Sequence, residues 1–390
     1  MSNKFIVIGA GALGLATAEG LLRQGVEVTV LERGQVGQES SWAGGGILSP
    51  LCPWDYPDAV NRLAARGAQL FAGFAQRLLG ETGIDPEFNR CGMLVLPPFD
   101  TQMAWSWCQA HGVRAEKCGD ATSVLSFPQK RESSQLNNLA RQEQKPAALS
   151  TTTLDSRFRG NDNARDALFL PDVAQARNPR LLQAMRAQVL KLGGRIVEQC
   201  DAQQLVEKSG KVSHLVTSQG NLNAENFVVT AGAWSKTLLG EHALSADIKP
   251  IRGQMLLFKF ETPPLPYVVL QDGLYLIPRK DGHLLVGSTL EDVGFDKSTT
   301  QEARAMLLQG ATALLPSLRD MPIVKHWAGL RPASPGNLPT IGRHPHLHNL
   351  FINSGHFRYG VTMSPASAEI LLNEINGAVQ ALDVAPYQWR

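Results

Sequence analysis

An α/β protein is predicted, in which a parallel-sheet domain is interleaved with a domain built on antiparallel sheet. Three observations predict it. The β-branched run Phe5-Ile-Val-Ile8 ends at a glycine and leads into apolar residues at helical spacing. Strand and helix alternate again near the C-terminus, whereas 251–288 alternates with the two-residue period of half-buried strands. At 390 residues the chain has room for roughly two to three domains. With 43% hydrophobic and 18% charged residues it can bury a sizeable core, which excludes global disorder. Lys+Arg 37 against Asp+Glu 35 leaves +2, so no overall field recruits nucleic acid or a membrane surface.

The elements follow in order. Residues 5–8 form a buried parallel strand, 10–24 a helix stopped by Gly25, and 26–31 a second strand with Glu32 at its carboxyl end. The apolar stretch 5–22 is broken by Gly9, Gly11, Gly14 and Glu19 and has no basic leader, so a soluble, unexported chain is expected. A glycine-rich loop, Ser40-Ser-Trp-Ala-Gly-Gly-Gly-Ile47, precedes a helix at 57–82, a strand at 92–96 and a helix at 101–111. Residues 129–165 are rich in Gln, Asn, Ser, Thr, Arg and Lys without apolar periodicity, which predicts a largely disordered insert. Order resumes with Leu168-Phe-Leu-Pro171, a helix at 179–192, and strands at 195–198, 212–217 and 227–230. Strands at 254–260, 267–270, 273–278 and 284–287, with a turn at Asp281-Gly282, give the antiparallel sheet, and a helix at 300–314 follows. A strand at 350–353 and a helix at 365–376, started by Ser364 and Pro365 as N-cap and first-turn pair, close the chain. The expected domains are 1–82, 168–235 and 323–390 for nucleotide binding, 83–127 and 236–322 for substrate, and 128–167 as the polar insert.

Gly9-Ala-Gly11-Ala-Leu-Gly14 carries the first chemistry. It matches G-x-G-x-x-G between a strand and a helix, where glycines permit a tight turn, backbone approach to a pyrophosphate and close helix–strand packing. The helix N-terminus favours the phosphate charge, and Glu32 is placed to accept both ribose hydroxyls. NAD and FAD are not separated by this motif; Arg33 leaves a faint NADP option that Glu32 opposes. Ser40, Ser41 and the glycines 44–46 let backbone pass close to a flat ring system.

With these motifs, and with Val228-Val-Thr-Ala-Gly-Ala-Trp-Ser235, Trp327-Ala-Gly-Leu-Arg-Pro332 and Gly355-His-Phe-Arg-Tyr-Gly360, the chain resembles FAD-dependent relatives of D-amino-acid oxidase. It is most similar to the glycine oxidases of thiamine biosynthesis, over nearly the whole chain except the polar insert. The resemblance implies noncovalent FAD, a flavin-binding domain of glutathione-reductase type and a substrate domain on antiparallel sheet. It implies cofactor contacts at Gly9, Gly11, Leu13, Gly14, Glu32, Arg33, Ser40, Ser41, Gly45, Gly46 and Ile47. A second set is His356, Phe357, Arg358, Tyr359, Gly360, Val361 and Thr362. Arg331 and Arg358 fall at the substrate carboxylate, with Tyr275 nearby; a planar, permanently charged donor suits a carboxylate. The bland readings are an interdomain salt bridge for Arg331, a loop charge for Arg358 and a core-edge tyrosine for Tyr275. At Tyr359 glycine oxidases typically carry Asn, and at Leu290 some carry Met; both departures are expected to touch the pocket.

The implied activity is oxidative deamination of glycine and other small amines or D-amino acids, with dioxygen reduced to hydrogen peroxide and the imine feeding thiazole assembly. The weighed alternatives are a D-amino-acid or sarcosine dehydrogenase with a non-oxygen acceptor, and a flavin-binding assembly or sensor protein. Expected partners are a small amino acid and O2, with no nucleic acid and no membrane; a homo-oligomer is left open. His344, His346 and His348 resemble a metal tract, but no carboxylate or cysteine cluster adjoins them, so no metal is expected. Five scattered cysteines without a CxxC pair suggest a reducing, cytoplasmic setting.

Overall fold

The computed structural model describes residues 4–120 and 166–390. The predicted polar insert at 128–167 lies outside the described residues, apart from Asp166 and Ala167, which open a strand.

Two sheets organise the protein. The first has six strands in the order Thr340–Arg343, Leu350–Ser354, Asn226–Val229, Lys4–Ile8, Glu27–Leu31 and Arg195–Val197. All neighbours are parallel except the edge strand Thr340–Arg343. Its strands are covered on both faces, which is why Phe5-Ile-Val-Ile8 is continuously apolar. Phe5, Val7, Val28, Val30, Val228 and Phe351 pack towards the helices Ala12–Arg23, Asp58–Thr82, Asn178–Lys191 and Gly360–Asn376. Ile6, Ile8, Phe227, Val229 and Ile352 point the other way, onto a three-stranded meander formed by Ala202–Lys208, Lys211–Thr217 and Gly220–Leu222.

The second sheet has eight strands. Their order is Lys325–Ala333, Lys249–Lys259, His283–Gly287, Leu274–Pro278, Val268–Gln271, Met93–Leu96, Asp166–Leu170 and Glu116–Asp120. Only the Val268–Gln271 and Met93–Leu96 pair is parallel. The helix Gln301–Leu314 covers one face through Leu307, Ala311 and Leu314 against Leu256, Phe258, Leu276 and Val286. Met255, Tyr275 and Ile277 occupy the other face with Leu51. That face looks onto the cavity described below.

Three expectations need correction. Asp166–Leu170 and Lys325–Ala333, which the expected boundaries put mainly with the nucleotide domain, hydrogen-bond into the eight-stranded sheet instead. Strand pairing is set by partners distant in sequence, and the local pattern carries no record of them. The strand Ala202–Lys208 was not predicted, because its exposed Gln203, Gln204, Glu207 and Lys208 mask the alternation. The C-terminal helix begins at Gly360, not at Pro365, which lies inside it. A proline has no N–H for the carbonyl four residues back. Here the Ser364 hydroxyl donates to the Val361 carbonyl at 2.9 Å, satisfying the acceptor that Pro365 leaves open.

No helix among the described residues is long and apolar enough to cross a membrane. The helix Asp58–Thr82 meets the C-terminal helix at Gly67, where a Cβ would come within 2.1 Å of the Thr362 carbonyl oxygen. Gly67→Ala is expected to cost about 1–3 kcal/mol of stability by overpacking, seen as a lower urea midpoint. An unchanged midpoint would show that the two helices can part without cost.

Candidate active site

At the carboxyl end of Lys4–Ile8 the chain turns sharply through Gly9, at φ +109°, where a Cβ would sit 2.5 Å from the Thr230 carbonyl oxygen. Gly14 is closer still: its Cβ would lie 1.9 Å from the Gly9 oxygen. The first helix can therefore approach the sheet only with glycine at both places. The Ala12 amide, in the first turn, donates to the Ser41 hydroxyl at 3.0 Å. Glu32 follows the adjacent strand, and its carboxylate accepts from the amides of Ala10 and Gly34, both at 2.9 Å.

A cavity of about 490 Å³ runs from this turn to Arg331 and Arg358. Gly9, Gly11, Leu13, Glu32, Arg33, Ser40, Ser41, Gly45, Gly46 and Ile47 line it, as do His356 to Val361. Two of the predicted cofactor contacts do not. Gly14 serves helix packing, and Thr362 is buried with its hydroxyl donating to the Ile47 carbonyl at 3.1 Å. Arg33 has its guanidinium 3.9 Å from the Trp234 ring centroid and pairs with Glu39 at 3.2 Å.

The glycine-rich loop is held from behind. Gly46 has φ +72°, and a Cβ there would lie 2.1 Å from the Ala176 oxygen. Asn178 donates to the carbonyls of Ser41 and Gly44 at 2.7 and 3.0 Å. Buried Arg279 donates to the Gly45 carbonyl at 2.7 Å, the Ala176 carbonyl at 3.0 Å and Gln175 Oε1 at 2.5 Å. Burial, with Arg177 nearby, lowers the Arg279 pKa to about 10, so it remains a cation at neutral pH.

Arg331 sits on Lys325–Ala333, half-buried in the cavity wall. It donates to the carbonyls of Thr289 and Arg252 at 3.1 and 3.4 Å and to the Ser288 hydroxyl at 2.5 Å. All three acceptors are neutral, and no acidic side chain pairs with it among the described residues. Burial holds its pKa below the ordinary value; nearby Arg358 adds to this, while Tyr275, hydrogen-bonded to the guanidinium, opposes it. Gly253 makes the room, since a Cβ there would be 2.2 Å from both terminal guanidinium nitrogens. Arg358 lies over the Phe357 ring, 5.5 Å from its centroid. The Phe357 amide donates to the Pro332 carbonyl at 2.9 Å, tying this loop to the strand that carries Arg331.

Tyr359 is buried, in edge contact with Tyr56 at 5.2 Å, and burial first and Tyr56 second raise its pKa well above the ordinary value. Leu290 does not meet the expectation: it is 57% exposed and does not line the cavity. In the histidine tract, His344 Nδ1 accepts from the amides of His346 and Leu347 at 3.1 and 2.9 Å, a turn-closing role.

Several cavity residues escaped the sequence reading. Thr230, Gly232 and Trp234 lie in a motif quoted above but were not assigned a contact. Asp201 and Gln203 arrive because the Cys200 amide donates to the Glu32 carbonyl at 2.9 Å, a pairing without local signal. Asn178 and Gly253 likewise come from remote elements.

The lining fits a flavin dinucleotide. Glycine backbone at one end can meet a pyrophosphate, and Glu32 stands where a ribose would need an acceptor. Buried His356 Nδ1 and Asn353 Oδ1, both on lining residues, have no partner among the described residues. Buried polar atoms of this kind call for one.

Comparison with known proteins agrees. The model of the family described as FAD dependent oxidoreductase matches residues 4–373. The chain is 38% identical over 388 residues to a glycine oxidase of Pseudomonas aeruginosa, covering 99% of this chain and 98% of that one. It is 29% identical to the bifunctional protein ThiO/ThiG of a Nostoc species, over 96% of this chain and 53% of the relative. Among solved structures, glycine oxidase from Geobacillus kaustophilus superposes with a TM-score of 0.85 at 23% identity, covering 100% of this chain and 99% of that one, a likeness of fold.

His356 also makes a pH prediction. Its Nε2 contacts Ser367 Oγ at 2.8 Å, and burial depresses its pKa from 6.5 to about 3. The folded protein therefore keeps it neutral where the unfolded chain takes up a proton. Its contribution to stability is present above about pH 6.5 and is lost as pH falls towards 3. His356→Gln is expected to give a shallower fall of the urea midpoint between about pH 7 and about pH 4. An equal slope in both proteins would refute it.

Proposed function

This chain belongs to the FAD dependent oxidoreductase family, and from that premise we propose that it oxidises glycine and other small amines or D-amino acids. The imine product hydrolyses to the 2-oxo acid and ammonia, or passes to thiazole assembly. One observation carries the reading: Arg331, a cation bonded only to neutral oxygens, stands in the wall of a cavity whose far end is a dinucleotide cradle. A cation left without a counter-charge is a receptor for a small anion. The similarity to glycine oxidases supports a carboxylate beside an amine as that anion.

FAD, when bound, would supply the two-electron oxidant for the Cα–H bond, with dioxygen as the final acceptor that is reduced to hydrogen peroxide. The residues that would hold it are those of the glycine turn, Glu32, the Ser40–Ile47 loop and the loop ahead of the C-terminal helix. The work of the protein is orientation. The Arg331 guanidinium binds the substrate carboxylate, with Arg358 adding positive charge and Tyr275 beside it in the cavity wall. Met255, Leu51 and Tyr275 give that end apolar walls, which exclude water and favour a short side chain. The substrate reacts as its free amine, so a general base is not required. His356, buried and joined to Ser367, stays neutral at working pH.

Arg331→Ala is expected to lower kcat/KM for glycine about a hundredfold, the value of a charge-assisted carboxylate contact, while FAD content stays at the wild-type level. Turnover near wild type would remove the carboxylate role. Peroxide formed in step with glycine consumed is the expected product signature. Reduction of an artificial acceptor without peroxide would instead mark a dehydrogenase.

A further inference from the structure

The segment that follows the strand His283–Gly287, joined to Lys249–Lys259 by an isolated bridge at Glu291, has two sides. Towards the cavity it presents the Ser288 hydroxyl and the Thr289 carbonyl, which hold Arg331. Away from it the Thr289 hydroxyl and the Glu291 carboxylate meet each other. The neighbouring strand Lys249–Lys259 divides in the same way, as the two-residue period of a strand requires. Gly253 and Met255 line the cavity, while Arg252 and Gln254 reach Glu291 from behind. Arg252 is 4% exposed; its Nε and one terminal nitrogen donate to a single Glu291 oxygen at 3.1 and 2.5 Å, and its other terminal nitrogen donates to Asp296 at 2.5 Å. Gln254 Nε2 donates to the other Glu291 oxygen at 2.9 Å. The two backbones are also joined reciprocally, Arg252 N to Glu291 O at 2.9 Å and Glu291 N to Arg252 O at 3.0 Å. That same Arg252 carbonyl is one of the three acceptors of Arg331.

We propose that Glu291, paired with Arg252, is a positioning residue for substrate binding. From the far face of the sheet it fixes Arg252 and Thr289, whose carbonyls help to aim Arg331. Three neutral oxygens cannot hold a guanidinium in one orientation unless they are themselves immobile, and the ion pair immobilises two of the residues that supply them. The charge of Glu291 is spent on Arg252, on the opposite face, which leaves Arg331 uncompensated for the incoming anion. This inference rests on Arg331 being the carboxylate anchor.

The test is acetate binding to the FAD-loaded full chain, followed by perturbation of the flavin absorbance and by calorimetry. It compares wild type, Arg331→Lys, Glu291→Gln and Arg252→Lys. Glu291→Gln is expected to retain FAD and to raise the acetate Kd on the order of tenfold. The KM for glycine should rise in parallel and kcat change less, with Glu291→Asp recovering part of the loss. A wild-type acetate Kd in flavin-loaded Glu291→Gln overturns the proposal. Should that variant lose its FAD, Arg252→Lys takes its place, since lysine cannot make the two-nitrogen contact, and a wild-type Kd there overturns it equally. If wild type binds acetate and Arg331→Lys does not, while Glu291→Gln still does, only the positioning falls. If wild type does not bind acetate, the carboxylate anchor falls as well.

Discussion

A guanidinium surrounded by neutral oxygens is the constraint around which the Arg331 end of the cavity is built. Placing a cation in a cavity wall is costly when no counter-charge accompanies it. The structure meets that cost with the carbonyls of Arg252 and Thr289, with the Ser288 hydroxyl, and with a glycine that leaves room for the head group. None of these neutralises the charge. The remaining attraction is available to a ligand, and its sign selects an anion before any finer discrimination by shape.

The cofactor end depends on a different principle, the close approach of backbone. Gly9, Gly14 and Gly46 each sit where a Cβ would collide with a main-chain oxygen, so the turn and the loop can only be glycine. Rigidity then comes from outside the loop. Arg279 and Asn178 grip the carbonyls of Gly45, Ser41 and Gly44 from remote strands and helices. Phe357 to Pro332 joins the loop ahead of the C-terminal helix to the Arg331 strand. One set of main-chain contacts therefore holds the glycine-lined end of the cavity and the Arg331 strand in a fixed relation. Such a relation is needed when a reaction is accelerated mainly by orientation.

The chain belongs to a family in which the cofactor brings the redox chemistry, and the distribution of titratable groups is consistent with that division of labour. His356 is pushed towards neutrality and Tyr359 is kept protonated, both by burial. Neither is arranged as an acid–base pair. In the proposed function the charged groups nearest the cavity bind and orient.

Much of this was legible in the amino-acid sequence. The strand–glycine–helix opening, Glu32 and the glycine loop follow from local pattern, the arginines at 331 and 358 from the family resemblance, and residues of each line one cavity. Periodicity and turn chemistry are properties of neighbouring residues, so a linear reading recovers them. Tertiary structure alone decided which sheet Lys325–Ala333 joins, that Leu290 faces outward, that Asn178 and Arg279 hold the glycine loop, that Gly253 leaves room for Arg331, and that Glu291 pairs with Arg252. The C-terminal helix shows the same limit on a small scale. Pro365 marks a start by propensity, yet the helix runs through it because a serine hydroxyl supplies the missing donor and the packed elements around it favour the longer form. Those outcomes depend on contacts between residues far apart along the chain, and such contacts exist only once the two sheets have closed around their common cavity.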